Sequence, residues 1–563
     1  MEALKREYSP TPKRGADSFY TEVKAWVADW NSPLGRCVTL TIQSTTQIII
    51  TDVMKKIIIT DSVDKKAVAI LENAGFDVVY KPGMKKAEIE EVIGQYHGLI
   101  VRSDTKATAD MIAKMDSMEV IGRAGAGVDN IDLEAATRKG IIVMNTPGGN
   151  TISTAEHAFT LMLSLCRNIA QADASIKAGK WDRRSFKGAE VYGKTLGIFG
   201  LGKIGREVAI RAKAFGMNVI GYDPVLSEDM AAKLGITLTD IETIFRKSDI
   251  ITVHVPLDEK TQNLLRKETF ALCKDGVKIV NCARGGIINE DDLVEALNSG
   301  KVSGAAIDVF LKEPPDFTHP LISHPKVITT PHLGASTEEA QEKVAIQIAE
   351  QIVELFKTRE IKGAVNAAAL AAFSNKEFAP YVQLAESLGA LVAQLAKDKP
   401  KQLKVSLSGD LLAKSEGLIS IAVLKGYLSR LINDPVNLIN ASFMAKEYGL
   451  AYSEIVSTEK SDYANQVTVT LTSEAEQHSI SGTVFGANDF RIVHIDKFKM
   501  EIKPEGNMLF YSNTDKPGML ASVGKVLSEA NINIAGLSLG RLGEGLEALT
   551  IVSVDGAIDK STV

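Results

Sequence analysis

Three short polar segments carry side chains suited to joint proton and hydride chemistry. Segment 281–286 holds Arg284, segment 308–315 holds Glu313 and segment 331–336 holds His332, and each follows an apolar run. A histidine accepts a proton near neutral pH. A carboxylate bonded to its ring fixes the tautomer and steadies the cation. A guanidinium offers a forked donor to a carboxylate and a developing carbonyl. The set suits oxidation of a 2-hydroxy acid, with the hydroxyl proton passing to His332 as C2 loses hydride. Asp308 stands where it can hold a carboxamide or balance charge. Singly, each residue has a plainer reading: a capped loop histidine, a solvated acid, a surface ion-pair partner. His254, His319 and His324 are set aside.

A hydride needs an acceptor, and Gly200-Leu201-Gly202-Lys203-Ile204-Gly205 matches a dinucleotide loop. It follows an apolar strand at 195–199 and opens a helix predicted over 204–215. Gly200 permits the tight turn, Gly202 lets the backbone approach a pyrophosphate, and Gly205 lets helix and strand pack closely. Asp223 lies 18 residues after Gly205, at the end of the next strand. A carboxylate there binds ribose hydroxyls and repels a 2′-phosphate, so NAD is favoured over NADP.

Parallel strands must position these segments. Strand-like runs at 57–60, 78–80, 99–102, 120–122 and 141–144 alternate with helical stretches such as 65–74 and 132–139. A second series runs 195–199, 218–222, 250–255, 277–281, 304–309 and 327–330. A long helix is predicted before it (154–178) and an amphipathic one after it (338–356). Strict alternation implies an α/β chain with two Rossmann-like, doubly wound units. The Ala-rich stretch 366–377 reads as a linker. Beyond it come helices, then hairpins pairing 467–471 with 480–484 and 492–495 with 498–502, an α+β pattern. From Met508 the order is strand, helix (520–530) and two strand-like runs.

The 563 residues carry 64 Lys+Arg against 70 Asp+Glu, a net charge of −6, which leaves no electrostatic footprint for nucleic acid. Cys37, Cys166, Cys273 and Cys282 are scattered without a CxxC pair. Neither a disulfide framework nor a zinc ribbon is expected, and a reducing, cytoplasmic compartment is. No metal is expected. No apolar run reaches the roughly 18 residues that span a bilayer. Residues 1–53 hold Trp26 and Trp30 but show no clear period. The expectation is an extension of unknown role: either Met54 is the functional start, or 1–53 is dispensable. Its acids, Glu2, Glu7, Asp17 and Glu22, argue against a secretion signal, and a presequence is the minority reading.

With these motifs in order, residues 55–362 resemble the D-isomer-specific 2-hydroxyacid dehydrogenases. The resemblance implies that His332 is the acid/base, Glu313 its partner, and Arg284 the ligand of substrate carboxylate and carbonyl. It implies NAD contacts at Gly200, Gly202, Lys203, Ile204, Gly205, Asp223, Val255, Cys282, Ala283, Arg284, Asp308, His332, Gly334 and Ala335. Segments 101–106, 122–130 and 145–150 are similar to the branch that oxidises 3-phospho-D-glycerate with NAD, the entry to L-serine synthesis. There Arg102, Ser103 and Asn150 supply phosphate donors, and Gly125 and Gly127 leave N–H groups open to an anion. Ala126 and Val255 stand where some relatives have Thr.

The implied organisation is an extension (1–53), a split substrate domain (54–151 and 335–365), an inserted NAD domain (152–334), an intervening domain (372–500) and an ACT-like domain (506–563). Asn513, Asn531 and Asn533 are its implied contacts for an L-serine effector. The chain stops after the run 549–554, so the ACT-like sheet is expected to lack its last helix and strand and to expose an edge. The family suggests a homotetramer. The alternatives at this point are a glyoxylate or hydroxypyruvate reductase and an NAD-sensing scaffold without turnover.

Overall fold

The computed structural model describes residues 5–8, 36–42, 54–395, 400–457, 461–474, 476–556 and 558. Trp26 and Trp30 lie outside them. Two short strands, β1 (Lys5–Tyr8) and β2 (Arg36–Ile42), precede the first parallel unit. That unit is a sheet of β3 (Lys56–Ile59), β4 (Asp77–Tyr80), β5 (Gly98–Val101), β6 (Val120–Arg123) and β7 (Ile142–Met144), in the order β4-β3-β5-β6-β7. Ile57, Ile58, Ile59, Leu99 and Ile100 are wholly buried because helices cover both faces. One cover is the helix Glu338–Thr358, which returns from far along the chain and packs Val344, Ala345, Ile348 and Ile352 against Ile57, Ile59 and Met144. Thr337 caps it, accepting the Ala340 N–H.

The second parallel sheet holds β8 (Thr195–Phe199), β9 (Asn218–Tyr222), β10 (Thr237–Leu238), β11 (Ile250–Val253), β12 (Val277–Asn281), β13 (Val302–Ile307) and β14 (Val327–Thr329). Its order, β10-β9-β8-β11-β12-β13-β14, reverses between β8 and β11, the switch point where such sheets open to ligand. The helix predicted over 154–178 is two helices, Thr151–Arg167 and Ile169–Lys177. Asn168 between them has φ 52, the left-handed region that Asn tolerates and that ends a helix.

A third, mixed sheet holds β15 (Gln402–Ser408), β16 (Ala451–Ser457), β17 (Gln466–Thr472), β18 (Gln477–Phe485), β19 (Asp489–Ile495) and β20 (Phe498–Ile502), with β1 at its edge beside β16. Both expected hairpins are present as β17–β18 and β19–β20. The stretch expected to be a plain linker instead forms short 3-10 turns, Ala368–Ser374 and Lys376–Phe378. Leu370 and Phe378 within them are buried in the core of this unit.

The last sheet holds β21 (Gly506–Thr514), β22 (Ile534–Arg541) and β23 (Glu547–Val554). Its order is β2-β21-β23-β22. The edge of β21 expected to be bare is covered: β2 runs antiparallel along it in continuous register, from Arg36 opposite Ser512 to Ile42 opposite Gly506. Part of the segment expected to be dispensable is thus a strand of this sheet. The pairing was hidden because β2 and β21 lie far apart in the sequence. No helix among the described residues is long and apolar enough to cross a membrane.

Candidate active site

The charged residues gather where parallel strands end. Arg102 follows β5, Arg123 ends β6, Asp223 follows β9, Arg284 lies just past β12, and Asp308 follows β13. Ligands of such sheets bind beyond these carboxyl ends.

His332 Nδ1 lies 2.7 Å from Glu313 Oε2. Glu313 Oε1 also accepts the Phe310 N–H at 3.1 Å. Burial pushes the Glu313 carboxyl up, but the hydrogen bond and charge of His332 outweigh it and hold the group below its ordinary value. With Nδ1–H assigned to Glu313, the neutral ring offers Nε2 as proton acceptor.

The His332 backbone has φ 53, a left-handed conformation that costs about 1–3 kcal/mol and needs support. Asp308 supplies it. Its backbone oxygen accepts the His332 N–H at 2.9 Å. Its carboxylate accepts the N–H groups of Leu333 (2.7 Å) and Gly334 (3.0 Å) and the Thr330 hydroxyl (2.6 Å), with His157 Nε2 at 3.1 Å. Burial pushes this carboxyl up; the bonds from His157, Thr330 and Leu333 bring it below the ordinary value. Asp308 is wholly buried. Both its oxygens serve the turn that presents His332. Cys282 lies beside it, its thiol pushed well up by burial.

The dinucleotide loop has the expected form. Gly200 takes φ 87 at the turn. A Cβ on Gly205 would meet the Gly200 carbonyl oxygen at 2.0 Å, so only glycine fits there. A Cβ on Gly202 would meet nothing within 4 Å, and no side chain caps the helix Lys203–Ala214 that starts after it. That open, uncapped helix start fits a pyrophosphate. Lys203 Nζ reaches the Pro147 carbonyl at 3.1 Å, and Ile204 packs at the edge of the core beneath the loop. Val255 backs Gly200. Asp223 accepts the Leu201 N–H at 2.8 Å, which ties the loop to the next strand. Ala283 lends its carbonyl to Arg284 at 2.6 Å, and the Gly334 carbonyl accepts the Thr154 hydroxyl at 3.0 Å, next to half-buried Ala335.

Across the opening, Arg284 Nε meets Asp129 Oδ2 at 3.0 Å. A Cβ on Gly127 would lie 2.0 Å from the Arg284 guanidinium, so the glycine leaves that side chain room beside Asp129. Arg102 donates to the Ser62 carbonyl at 3.1 Å and Ser103 leans on Asp104 at 3.4 Å. Asn150 starts the helix Thr151–Arg167 without capping it by its side chain. The Gly125 N–H, expected to be open to an anion, instead donates to the Arg123 carbonyl at 2.9 Å. A Cβ at 125 would lie 2.4 Å from the Arg123 guanidinium, so the residue makes room for that side chain.

Residues 159–334 match the family model for the D-isomer specific 2-hydroxyacid dehydrogenase NAD binding domain. Residues 377–496 match the D-3-phosphoglycerate dehydrogenase intervening domain, and 507–563 an ACT domain. The chain is 41% identical to the D-3-phosphoglycerate dehydrogenase of Bacillus subtilis over 91% of this chain and 97% of that one. It is 41% identical to the Homo sapiens enzyme of that name over 87% and 93%. The chain belongs to the D-3-phosphoglycerate dehydrogenase family. Among solved structures, a Thermus thermophilus protein aligns at TM-score 0.52 with 31% identity, covering 55% of this chain and 99% of its own. A glyoxylate reductase from Paecilomyes thermophila aligns at 0.51 with 29% identity, covering 55% and 98%.

In this D-3-phosphoglycerate dehydrogenase family member, Arg123 is among the charged residues that escaped the sequence reading, with Asp61 and Asp129. Arg123 lies inside the glycine-rich run 122–130, where the glycines drew attention. Burial, with Arg284 and Arg102 nearby, pushes its guanidinium down to about 10. No carboxylate among the described residues closes on it within ion-pair distance; its Nε–H goes to Asn130 Oδ1 at 3.1 Å. The signal was its place at the carboxyl end of β6, next to Arg102 at the end of β5.

The implied effector residues do not converge within one copy. Asn513 sits near the end of β21 and donates to the Thr514 carbonyl at 2.7 Å. Asn531 and Asn533 precede β22, which runs parallel to β21 because both are antiparallel to β23. They therefore lie at the opposite end of the sheet, with Asn533 bonded to Asp555 at 2.6 Å. The histidines set aside have structural partners: half-buried His254 has Nε2 3.1 Å from the Thr252 hydroxyl and is pushed down to about 4 by burial, His319 caps the helix Pro320–Ser323, and His324 accepts the Lys326 N–H at 3.2 Å.

Proposed function

We propose that this chain oxidises 3-phospho-D-glycerate to 3-phosphohydroxypyruvate with NAD, at the site between the two parallel sheets. The carrying observation is Arg123: a largely buried guanidinium with no carboxylate partner among the described residues, close to Arg102 and Arg284. Asp129 and Asp61 offset only part of this positive charge, and a phosphate dianion balances the rest better than a plain hydroxy acid. Relatives at 41% identity that bear the name D-3-phosphoglycerate dehydrogenase support the same substrate.

When bound, NAD supplies the hydride acceptor. The residues that fit it are Gly200, Gly202, Gly205 and the helix start at Lys203, with Asp223 for ribose. Arg284 holds the substrate carboxylate and polarises the forming carbonyl. Arg102 and Arg123 take the phosphate. His332 Nε2 takes the hydroxyl proton, and Glu313 at Nδ1 stabilises the imidazolium that results. Closure of the opening excludes water from the hydride.

L-serine as effector of the ACT-like sheet, a homotetramer and a cytoplasmic location complete the reading. Support for self-association is the helix Ile169–Lys177, which buries none of its residues, with exposed Ile169, Ile176 and Trp181 nearby. Support for a reducing compartment is three free, buried cysteines. The test is NADH formation from 3-phospho-D-glycerate at alkaline pH, with and without L-serine. Turnover supports the enzyme, and suppression by serine supports the effector. NAD binding without turnover would overturn the substrate.

A further inference from the structure

Arg102 and Ser103 lie in the connection between β5 and the next helix, ahead of the bridge that Ala107 makes to Ile131. Two side chains from elsewhere hold its backbone. Asp61, just past β3 and 2% exposed, accepts the N–H groups of Arg102 at 2.6 Å, Asp104 at 3.1 Å and Thr105 at 3.1 Å. The Thr105 hydroxyl also bonds Asp61, and meets the Thr60 hydroxyl at 2.9 Å. Asn130, from the loop after β6, takes the other half of the turn: its Nδ2 donates to the carbonyls of Arg102 at 2.8 Å and Thr105 at 2.7 Å. Its Oδ1 accepts Arg123 Nε–H at 3.1 Å.

We propose that Asp61 and Asn130 are positioning residues that set phosphate selectivity, by fixing Arg102 and Arg123 at one spacing. This rests on the reading above that the substrate carries a phosphate. Asp61 gathers the turn's N–H groups, and Asn130 gathers its carbonyls and ties them to the second guanidinium. The same amide thus touches both cationic elements. Neither residue is assigned a contact with substrate. A preset pair of donors binds a dianion without ordering cost, whereas a loose turn pays that cost on every encounter. A hydroxy acid without phosphate is held by Arg284 alone and is indifferent to the clamp.

The test uses the full chain and the variants Asp61→Asn and Asn130→Asp. Asn at 61 sets an amide N–H₂ against the turn's N–H groups, and Asp at 130 sets an oxygen against its carbonyls. Asn130→Ala is the milder variant should either charge-changing one fail to fold. KM, or the inhibition constant, is read for 3-phospho-D-glycerate and for D-glycerate, together with kcat and NADH affinity. The expected result is a tenfold or larger rise for the phosphorylated acid, less than twofold for D-glycerate, and unchanged NADH affinity. Equal rises for both acids, or none for either, would overturn the proposal. A wild-type chain that does not prefer the phosphorylated acid would overturn the substrate reading itself. Preference in the wild type that survives in the variants would overturn only the clamp.

Discussion

Asp129 Oδ2 lies 3.0 Å from Arg284 Nε, so a carboxylate of the first parallel unit holds the guanidinium of the second. The substrate carboxylate proposed for Arg284 must replace that partner. Asp129 is well exposed, and such pairs contribute about 0–1 kcal/mol. Asp129→Asn is therefore expected to lower KM for the hydroxy acid by about two- to fivefold. Steady-state kinetics check it; a raised KM would make Asp129 part of the substrate-bound site.

His332→Ala is expected to cut kcat by about 10²–10⁴-fold while NADH binding is kept. Glu313→Gln keeps the shape of the pair but removes the charge that stabilises the imidazolium, and should also cost kcat. Single-turnover rates with NADH titrations separate chemistry from binding. Unchanged kcat in His332→Ala would remove it as the base.

Asp308 makes stability depend on pH. Its folded value lies below the ordinary carboxyl value. A group depressed in this way contributes stability that is present above its unfolded value, about 3.9, and is lost as pH falls through the folded one. Asp308→Asn should be less stable at pH 7, by on the order of 3 kcal/mol, and should lose less than the wild type on acidification below about pH 4. Urea melts at both pH values test this. Parallel acid losses would assign the effect to other carboxylates.

Asp223→Ala is expected to weaken NAD and reduce the preference over NADP, because it frees the Leu201 N–H as well as removing the ribose partner. Binding isotherms for both dinucleotides check it. An unchanged ratio of affinities would confine Asp223 to tying the loop.

The parts legible in the sequence were those written in short segments. The dinucleotide loop, its strand and its helix are consecutive, and the hairpins need only neighbouring runs. His332 and Glu313 were legible as a pair because each ends a strand run of one sheet. Arg123 was not, because its role depends on Arg102 and Arg284, which only folding brings near it. Asp308 looked like a ligand because sequence shows a carboxylate at a strand end, not the four donors that converge on it. The break at Asn168 needs one backbone angle that helix propensity does not report.

The strand β2 pairs with β21, so Ile42 finds Gly506 after more than 460 intervening residues. At a synthesis rate of roughly 5–20 residues per second, on the order of 20–90 s separate the two on the ribosome. The terminal sheet therefore closes only after both parallel units have been made, as a late, long-range step. A cut between β1 and β2 would leave the edge of the third sheet bare, and one beyond β2 would also strip the carboxy-terminal sheet of its edge strand.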